Sequence, residues 1–332
     1  MKFIRTLLAA VAAASAFHAA PALAQSPVVM RVASVTPEQH PVSTMLKKVA
    51  AKINARPDLH LKMELYVGGT LGGDLEALDQ VARGAVQGSA AGGISVLQGY
   101  NAKFGIEELP FMFADRQAAY KAMDGKLGEE VGKLAEQHGF KVLAYWENGF
   151  RHFTNSKRPI VTPKDMSGLR FRSAESKIRL EMFRQLKASA IPMPFTELYQ
   201  ALQQGVVDGQ ENPVGLITSA SLYTVQKHLS FSGHIWSAIP IVVSKKWYDA
   251  LNEKQRAALR DEFYAARVEQ RALIASEEAE QVKFLKAKGV QVTNVDVKAF
   301  REATDPVWKT AEPIFGAEWM AIARQVRDGT AK

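Results

Sequence analysis

The stretch between Asn252 and Gly289 carries an apolar stripe at helical spacing that runs far past the length of an ordinary helix. Leu259, Phe263, Ala266, Leu273 and Phe284 mark it. Trp247 and Leu251 lead in, Asn252 stands at the N-cap with Gln255 three residues on as a capping box, and Gly289 stops it. A helix of about 35 residues at 1.5 Å rise is roughly 50 Å long, more than one small domain is wide. It has to lie across two domains, unless it bends into a pair of helices near Ser276. Length agrees: an N-terminal leader of 24 residues leaves 308, which is room for two domains.

The chain ahead of this rod begins β-α-β-α. Val28–Val35 is a short β-branched strand, and Val42, Met45, Leu46, Val49 and Ile53 recur at helical spacing after Pro41. Leu59–Val67 alternates with period two. The glycine-rich turn 68–73 follows, and Asp74 is placed to cap the next helix, which repeats Leu75, Leu78, Val81 and Ala82. Val86–Ala91 is a small-residue strand closing on Gly92 and Gly93, where a partner can approach the backbone. A helix is predicted from Asp115 to Gln137, a strand over Phe140–Trp146, a break at Glu147-Asn148-Gly149, and a second strand over Phe150–Thr154. Ile239–Ser244 reads as a buried strand. The pattern is that of a mixed α/β fold, sheets flanked by helices, with the first crossing between domains near residue 148.

The first residues read as a secretory leader: basic Lys2 and Arg5, an apolar run from Leu7 to Phe17, and Ala22-Leu23-Ala24 before a mature start at Gln25. The periplasm is the expected location. There is no cysteine, which excludes a disulfide scaffold, a thiol nucleophile and Cys-ligated zinc. The formal charge is +8, and the two leader residues leave +6 for the remainder. Basic residues are spread along the chain with acids interleaved, so no nucleic-acid partner is expected.

Signs of catalysis are missing. The run Gly68–Gly73 fits the glycine spacing of a phosphate loop, but Asp74 stands where lysine is required. The segment Gly93-Ile94-Ser95-Val96-Leu97 lacks the last glycine of a nucleophile elbow. No two histidines of the mature chain share a metal-ligand spacing, and neither a metal nor a cofactor is expected.

Anion capture is what remains. In Gly168-Leu169-Arg170-Phe171-Arg172-Ser173, period two sends Leu169 and Phe171 to one face and both arginines to the other. A guanidinium matches a carboxylate with two parallel charge-assisted bonds, and open α/β sheets bind ligands at strand carboxyl ends. Thr196 reads as an N-cap. Phe195 has no hydrophobic staple partner, since Gln200 occupies that position, so its ring suits a cleft mouth. Asn212 before Pro213 reads from spacing alone as a helix cap.

Residues 168–213, with Pro-Met-Pro-Phe-Thr-Glu-Leu-Tyr at 192–199 and Asp-Gly-Gln-Glu-Asn-Pro at 208–213, closely resemble the signature of DctP-type substrate-binding proteins of TRAP transporters. The resemblance extends over the mature chain, through the turn at Asp74, the Glu-Leu-Pro-Phe run at Phe111 and Asn148–Arg151. It implies a two-domain periplasmic binding protein, each domain a mixed sheet flanked by helices, joined by crossing strands and the long helix. The expected division is 25–148 plus about 238–275, and 149–237 plus about 276–332. It implies no catalysis: a small organic acid is captured in the interdomain cleft by a monomer and delivered to TRAP membrane subunits. By position, Arg172 pairs with the ligand carboxylate and Arg151 is a second pocket arginine. Phe195 supplies the aromatic wall and Asn212 an amide that contacts ligand, while Arg170 falls back to solvent. Asp74 is the acidic turn position, and Gly92 and Gly93 form a pocket edge. Asn148, His152 and Trp236 are further expected to border the pocket. Sialic-acid-binding members carry glutamate near Gly92, so sialic acid is not the expected ligand. An ABC-type binding protein and a periplasmic hydrolase are the competing readings.

Overall fold

The computed structural model describes residues 26–330, so the leader and its cleavage site lie outside the described residues. The chain begins with β1 (Val28–Ser34), α1 (Pro41–Asn54), β2 (Leu61–Tyr66), α2 (Asp74–Arg83) and β3 (Gly88–Ala90). Helices α3 (Arg116–Asp124) and α4 (Lys126–Gln137) lead to the 16-residue strand β4 (Phe140–Asn155). Then come β5 (Arg170–Ser173), α5 (Lys177–Gln185), β6 (Ser189–Pro192), α6 (Leu198–Gln203), β7 (Gly209–Asn212) and α7 (Val214–Ser219). The 17-residue strand β8 (His228–Ser244), α8 (Lys245–Ala250), α9 (Glu253–Ala287), β9 (Gln291–Asn294) and α10 (Val297–Arg327) complete the fold.

Among the described residues nine strands form one sheet in the order β2-β1-β3-β8-β4-β7-β5-β6, with β9 also on β8. The two long strands explain how one sheet serves two domains. β4 and β8 pair antiparallel along nearly their whole length. At one end β8 takes β3 on Ile241–Val243; at the other it takes β9 on His228–Phe231, while β4 takes β7 on His152–Asn155. Each half thus has its own short parallel strands, β1–β2–β3 and β5–β6–β7, covered by its own helices.

The long helix is a single element, with the capping box at Asn252 and Gln255 in place and no bend at Ser276. Its N-terminal part sends Leu259, Phe263 and Ala266 into a core with α1, β1 and β2, and its far end sends Leu285 into a core with α6 and α7. Leu273 is only partly buried and Phe284 is exposed, because the buried side of the helix turns as it passes from one half to the other and takes in Ile274 and Leu285 instead. Gln270, Arg271 and Ile274 are the buried residues midway.

Two expectations need correction. The predicted 115–137 helix is two helices, since Gly125 leaves the helical region (φ −114°, ψ −142°) and Gly128 packs so closely on the Met123 carbonyl that a Cβ would lie 1.9 Å from it. The predicted break at 147–149 is a bulge within a continuous strand. Glu147 pairs with Ala238 and Gly149 with Ser237, so Asn148 is the extra residue, and Gly149 takes φ +126° to absorb it.

Candidate functional site

Arg172 owes its position to the alternation of β5. Phe171 points into the core, stacked on Phe183 with ring centroids 5.1 Å apart, so Arg172 points to the opposite face, into a cleft between the two halves. It is 4% exposed. Its Nε donates to the Met193 carbonyl at 2.9 Å, and neither terminal nitrogen has a partner among the described residues. Burial pulls the guanidinium down to about 10; Glu211 and Asp74 oppose this, while the neighbouring Arg179 and Arg151 add to it. A buried cation without a counter-ion is costly, and its two free donors fit one carboxylate.

The floor beneath it is saturated. Arg151, from β4, donates Nε to Glu211 Oε2 at 2.5 Å and Nη2 to Glu211 Oε1 at 3.0 Å, to the Glu211 carbonyl at 2.7 Å and to Asn212 Oδ1 at 2.8 Å. Arg179, in the first turn of α5, donates Nη1 to Glu211 Oε1 at 2.8 Å and Nε to Glu108 Oε2 at 2.6 Å. Burial would raise the Glu211 carboxyl, but the two guanidiniums hold it well below the usual range.

The opposite lip is built by the glycine turn and the bulge. Gly73, not Asp74, occupies the N-cap of α2. Asp74 instead turns outward, and its Oδ1 accepts from the Gly92 N–H at 2.9 Å. Burial raises its pKa to about 6, against the Gly92 N–H and Arg172, which lower it. A Cβ at Gly92 would sit 2.7 Å from Asp74 Oδ2, so any side chain there would push the carboxylate aside. Asn148, carried by the bulge, donates Nδ2 to the Gly92 carbonyl at 3.1 Å. Phe195, half-buried, closes one side, and Val35, Leu216 and Ile239 supply apolar wall. The lips touch: a Cβ on Gly69 would lie 2.6 Å from Thr196 Cγ2, and one on Gly73 3.3 Å from Pro194 Cβ.

The description "bacterial extracellular solute-binding protein, family 7", DctP, matches residues 32–313, most of the chain. The chain belongs to this family. The 2,3-diketo-L-gulonate-binding periplasmic protein YiaO of Escherichia coli is 34% identical over 294 residues, 88% of either chain. The sugar acid binding protein DctPAm of Advenella mimigardefordensis, solved with galactonate, has a TM-score of 0.88 at 27% identity, covering 92% of this chain and 99% of that one. A TRAP periplasmic solute binding protein of a Polaromonas species, with D-erythronate bound, has a TM-score of 0.86 at 32% identity, covering 90% and 98%. DctP-family members are solute-binding proteins, not enzymes, and work with TRAP membrane subunits. The hydrolase and ABC-type readings are set aside.

Within this DctP-family fold, Arg172, Arg151, Asp74, Gly92, Asn148, Phe195 and Asn212 meet at one cleft. Other expected residues do not. Trp236 is buried behind the wall, donating to Glu147 Oε1 at 3.2 Å and packed edge-on to Phe113. His152 faces away and accepts from the Ser232 and Gly233 N–H groups. Gly93 backs onto Glu107, whose Oε1 would lie 2.9 Å from a Cβ there. Asn212 caps nothing: it lies in β7, and Pro213 precedes α7. Thr196 makes no cap either, because the chain there forms a short 3-10 turn begun by Pro194. Arg170 is not merely solvated but forks onto Asp208, with Nε–Oδ2 at 3.1 Å and Nη2–Oδ1 at 2.9 Å. Sequence reasoning missed Arg179, Glu108 and Glu211. Arg179 and Glu108 are 71 residues apart in sequence, and no local pattern announces such a pair.

Proposed function

We propose that this chain captures a small organic acid in the cleft between its two domains by pairing the ligand carboxylate with Arg172, and presents it to TRAP membrane subunits. The observation that carries this reading is the state of Arg172: buried, held by one carbonyl, with both terminal nitrogens free toward the cleft. Arg151 acts from the floor, holding Asn212 and Glu211 in place, and Phe195, Asp74, Gly92, Asn148 and Asn212 shape the walls. The relatives' ligands support the class, since galactonate, D-erythronate and 2,3-diketo-L-gulonate are all carboxylates.

The domains are assigned as 25–148 with about 238–275, and 149–237 with about 276–332. The exchange of short strands along β4 and β8 supports this division, although α10 touches both halves: Trp308 donates to the Pro110 carbonyl, and Phe300 packs on Phe153. Residues 1–24 act as a cleaved leader that delivers the chain to the periplasm, where it works as a monomer.

Isothermal titration with a panel of organic acids tests the reading. Losing two charge-assisted bonds in Arg172→Ala should weaken the best ligand by about 100-fold or more. Arg170→Ala, two residues away but committed to Asp208, should leave affinity unchanged. Unchanged affinity in Arg172→Ala rejects the assignment.

A further inference from the structure

Besides the free terminal nitrogens of Arg172, the cleft wall carries two unengaged side-chain oxygens among the described residues that can only accept. Asn148 is 1% exposed, and its Nδ2 donates to the Gly92 carbonyl. A carbonyl only accepts, so the amide can have only this orientation. Its Oδ1 therefore sits in the wall, buried, with no donor among the described residues. Asp74 spends Oδ1 on the Gly92 N–H, and no donor among the described residues reaches its Oδ2. Asn212 accepts from Arg151 at 2.8 Å and donates one N–H to Gln210 Oε1 at 2.5 Å, so its oxygen is already met from within the fold. Thr36 is engaged by Ser34 and Ser43. The Ser95 hydroxyl can serve either way.

Charge limits the ligand further. Three arginines reach the cleft, but Glu211 and Glu108 cancel Arg151 and Arg179. Arg172 is the one cation of the wall without an ion pair among the described residues. Asp74 and Glu175 flank it in the outer part of the cleft.

We infer that the site selects hydroxylated monocarboxylates, with one carboxylate on Arg172 and hydroxyls donating to Asp74 Oδ2 and Asn148 Oδ1. This rests on the reading that Arg172 takes a ligand carboxylate. A second carboxylate finds no free cation and meets Asp74 or Glu175. A keto oxygen set against Asp74 and Asn148 puts acceptor against acceptor. An unsubstituted chain leaves the buried Asn148 oxygen without a donor, which is costly.

Three four-carbon acids separate these demands by calorimetry on the full mature chain: erythronate (one carboxylate, hydroxylated), butanoate (one carboxylate, bare) and succinate (two carboxylates, bare). Erythronate should bind roughly 100-fold tighter than either of the others, because a site built to pair with hydroxyls rejects analogues without them. Asp74→Asn keeps an oxygen for the Gly92 N–H but removes the charge and turns the free position into a donor. It should weaken erythronate about tenfold and narrow its margin over succinate. Asn148→Ala should weaken erythronate and narrow its margin over butanoate, because the oxygen that butanoate leaves without a donor is gone. Succinate or butanoate binding within about threefold of erythronate, or an unchanged margin in Asp74→Asn, overturns the inference. If Arg172→Ala still abolishes binding of the preferred acid in that event, the carboxylate reading survives and only the hydroxyl preference falls. If none of the three binds, both fall.

Discussion

Arg151 grips Glu211 by three hydrogen bonds, two to the carboxylate at 2.5 and 3.0 Å and one to the main-chain carbonyl at 2.7 Å. The two residues sit on neighbouring strands, β4 and β7, so the grip ties the sheet together beneath the cleft. It also removes Arg151 from the set of cations open to a ligand.

Glu211 should therefore matter to the fold more than to recognition. Glu211→Gln leaves Arg151 and half of Arg179 without a counter-charge in a buried site. The expected loss is about 3–5 kcal/mol of stability, read as a lower midpoint in urea unfolding. A midpoint within error of the wild type would show that the network is dispensable.

Lysine should be a poor replacement for Arg172. It keeps the charge but offers a point donor where a planar fork is needed, and it gives up the Nε bond to Met193. Arg172→Lys should bind the preferred acid about 10- to 100-fold more weakly than wild type, with the enthalpy of binding reduced more than the fold's melting temperature.

Asp74 sets a pH dependence with a definite sign. Its carboxyl is raised from 3.8 to about 6, chiefly by burial. Below 3.8 both folded and unfolded chains hold the proton and the group is neutral to stability. As pH rises toward 6 only the unfolded chain ionises, so the folded state loses ground, by at most about 1.4 kcal/mol per pH unit. Above about 6 the penalty is constant. Asp74→Asn has no such titration, so its stability relative to wild type should rise across that window. Parallel curves for the two proteins from pH 4 to 7 would contradict this.

The glycine turn, rejected as a phosphate loop, forms a lip of the cleft. Gly73 has ordinary extended backbone (φ −72°, ψ 177°), so a side chain there causes no strain of its own. Gly73→Thr keeps a capping residue but drives a Cβ to 3.3 Å from Pro194 across the cleft, with further atoms beyond it. Overpacking of this kind costs roughly 1–3 kcal/mol, which should fall on ligand affinity and leave the ligand-free melting temperature near wild type. Small-angle scattering at saturating ligand should show a larger radius of gyration than wild type.

Local patterns made most of the elements legible. The cap at Asn252, the alternation around Phe171 and Arg172, and the buried face Val42–Ile53 depend on neighbours three or four residues away at most, and all formed as read. Misreadings arose where a distant group competes with a local one. Asp74 has a helix start beside it, yet bonds to Gly92, eighteen residues on. Asn212 has a proline after it, yet its amide answers Arg151 from another strand. Trp236 lies close to the pocket sequence motif in the sheet, yet Glu147 holds its ring behind the wall. Gly125 and Gly149 were visible as glycines, but whether a glycine ends a helix, bulges a strand or does nothing depends on packing the sequence does not display.

Gln270 ties the long helix to the longest strand pair of the sheet. From the middle of α9 its side chain clasps the main chain of Glu147 twice, accepting from the N–H and donating to the carbonyl, each at 2.8 Å, beside the bulge where β4 changes register. This clasp fixes the middle of α9 to the sheet at the crossing between the two halves. The arm of α9 beyond it runs 17 residues to Ala287, about 25 Å, so a tilt of roughly 10° would carry its tip some 4 Å. Leu285 near that tip is buried among the helices of the second half. Were the halves to turn about Gln270, a rotation of a few degrees there would become a displacement of several ångströms at Leu285.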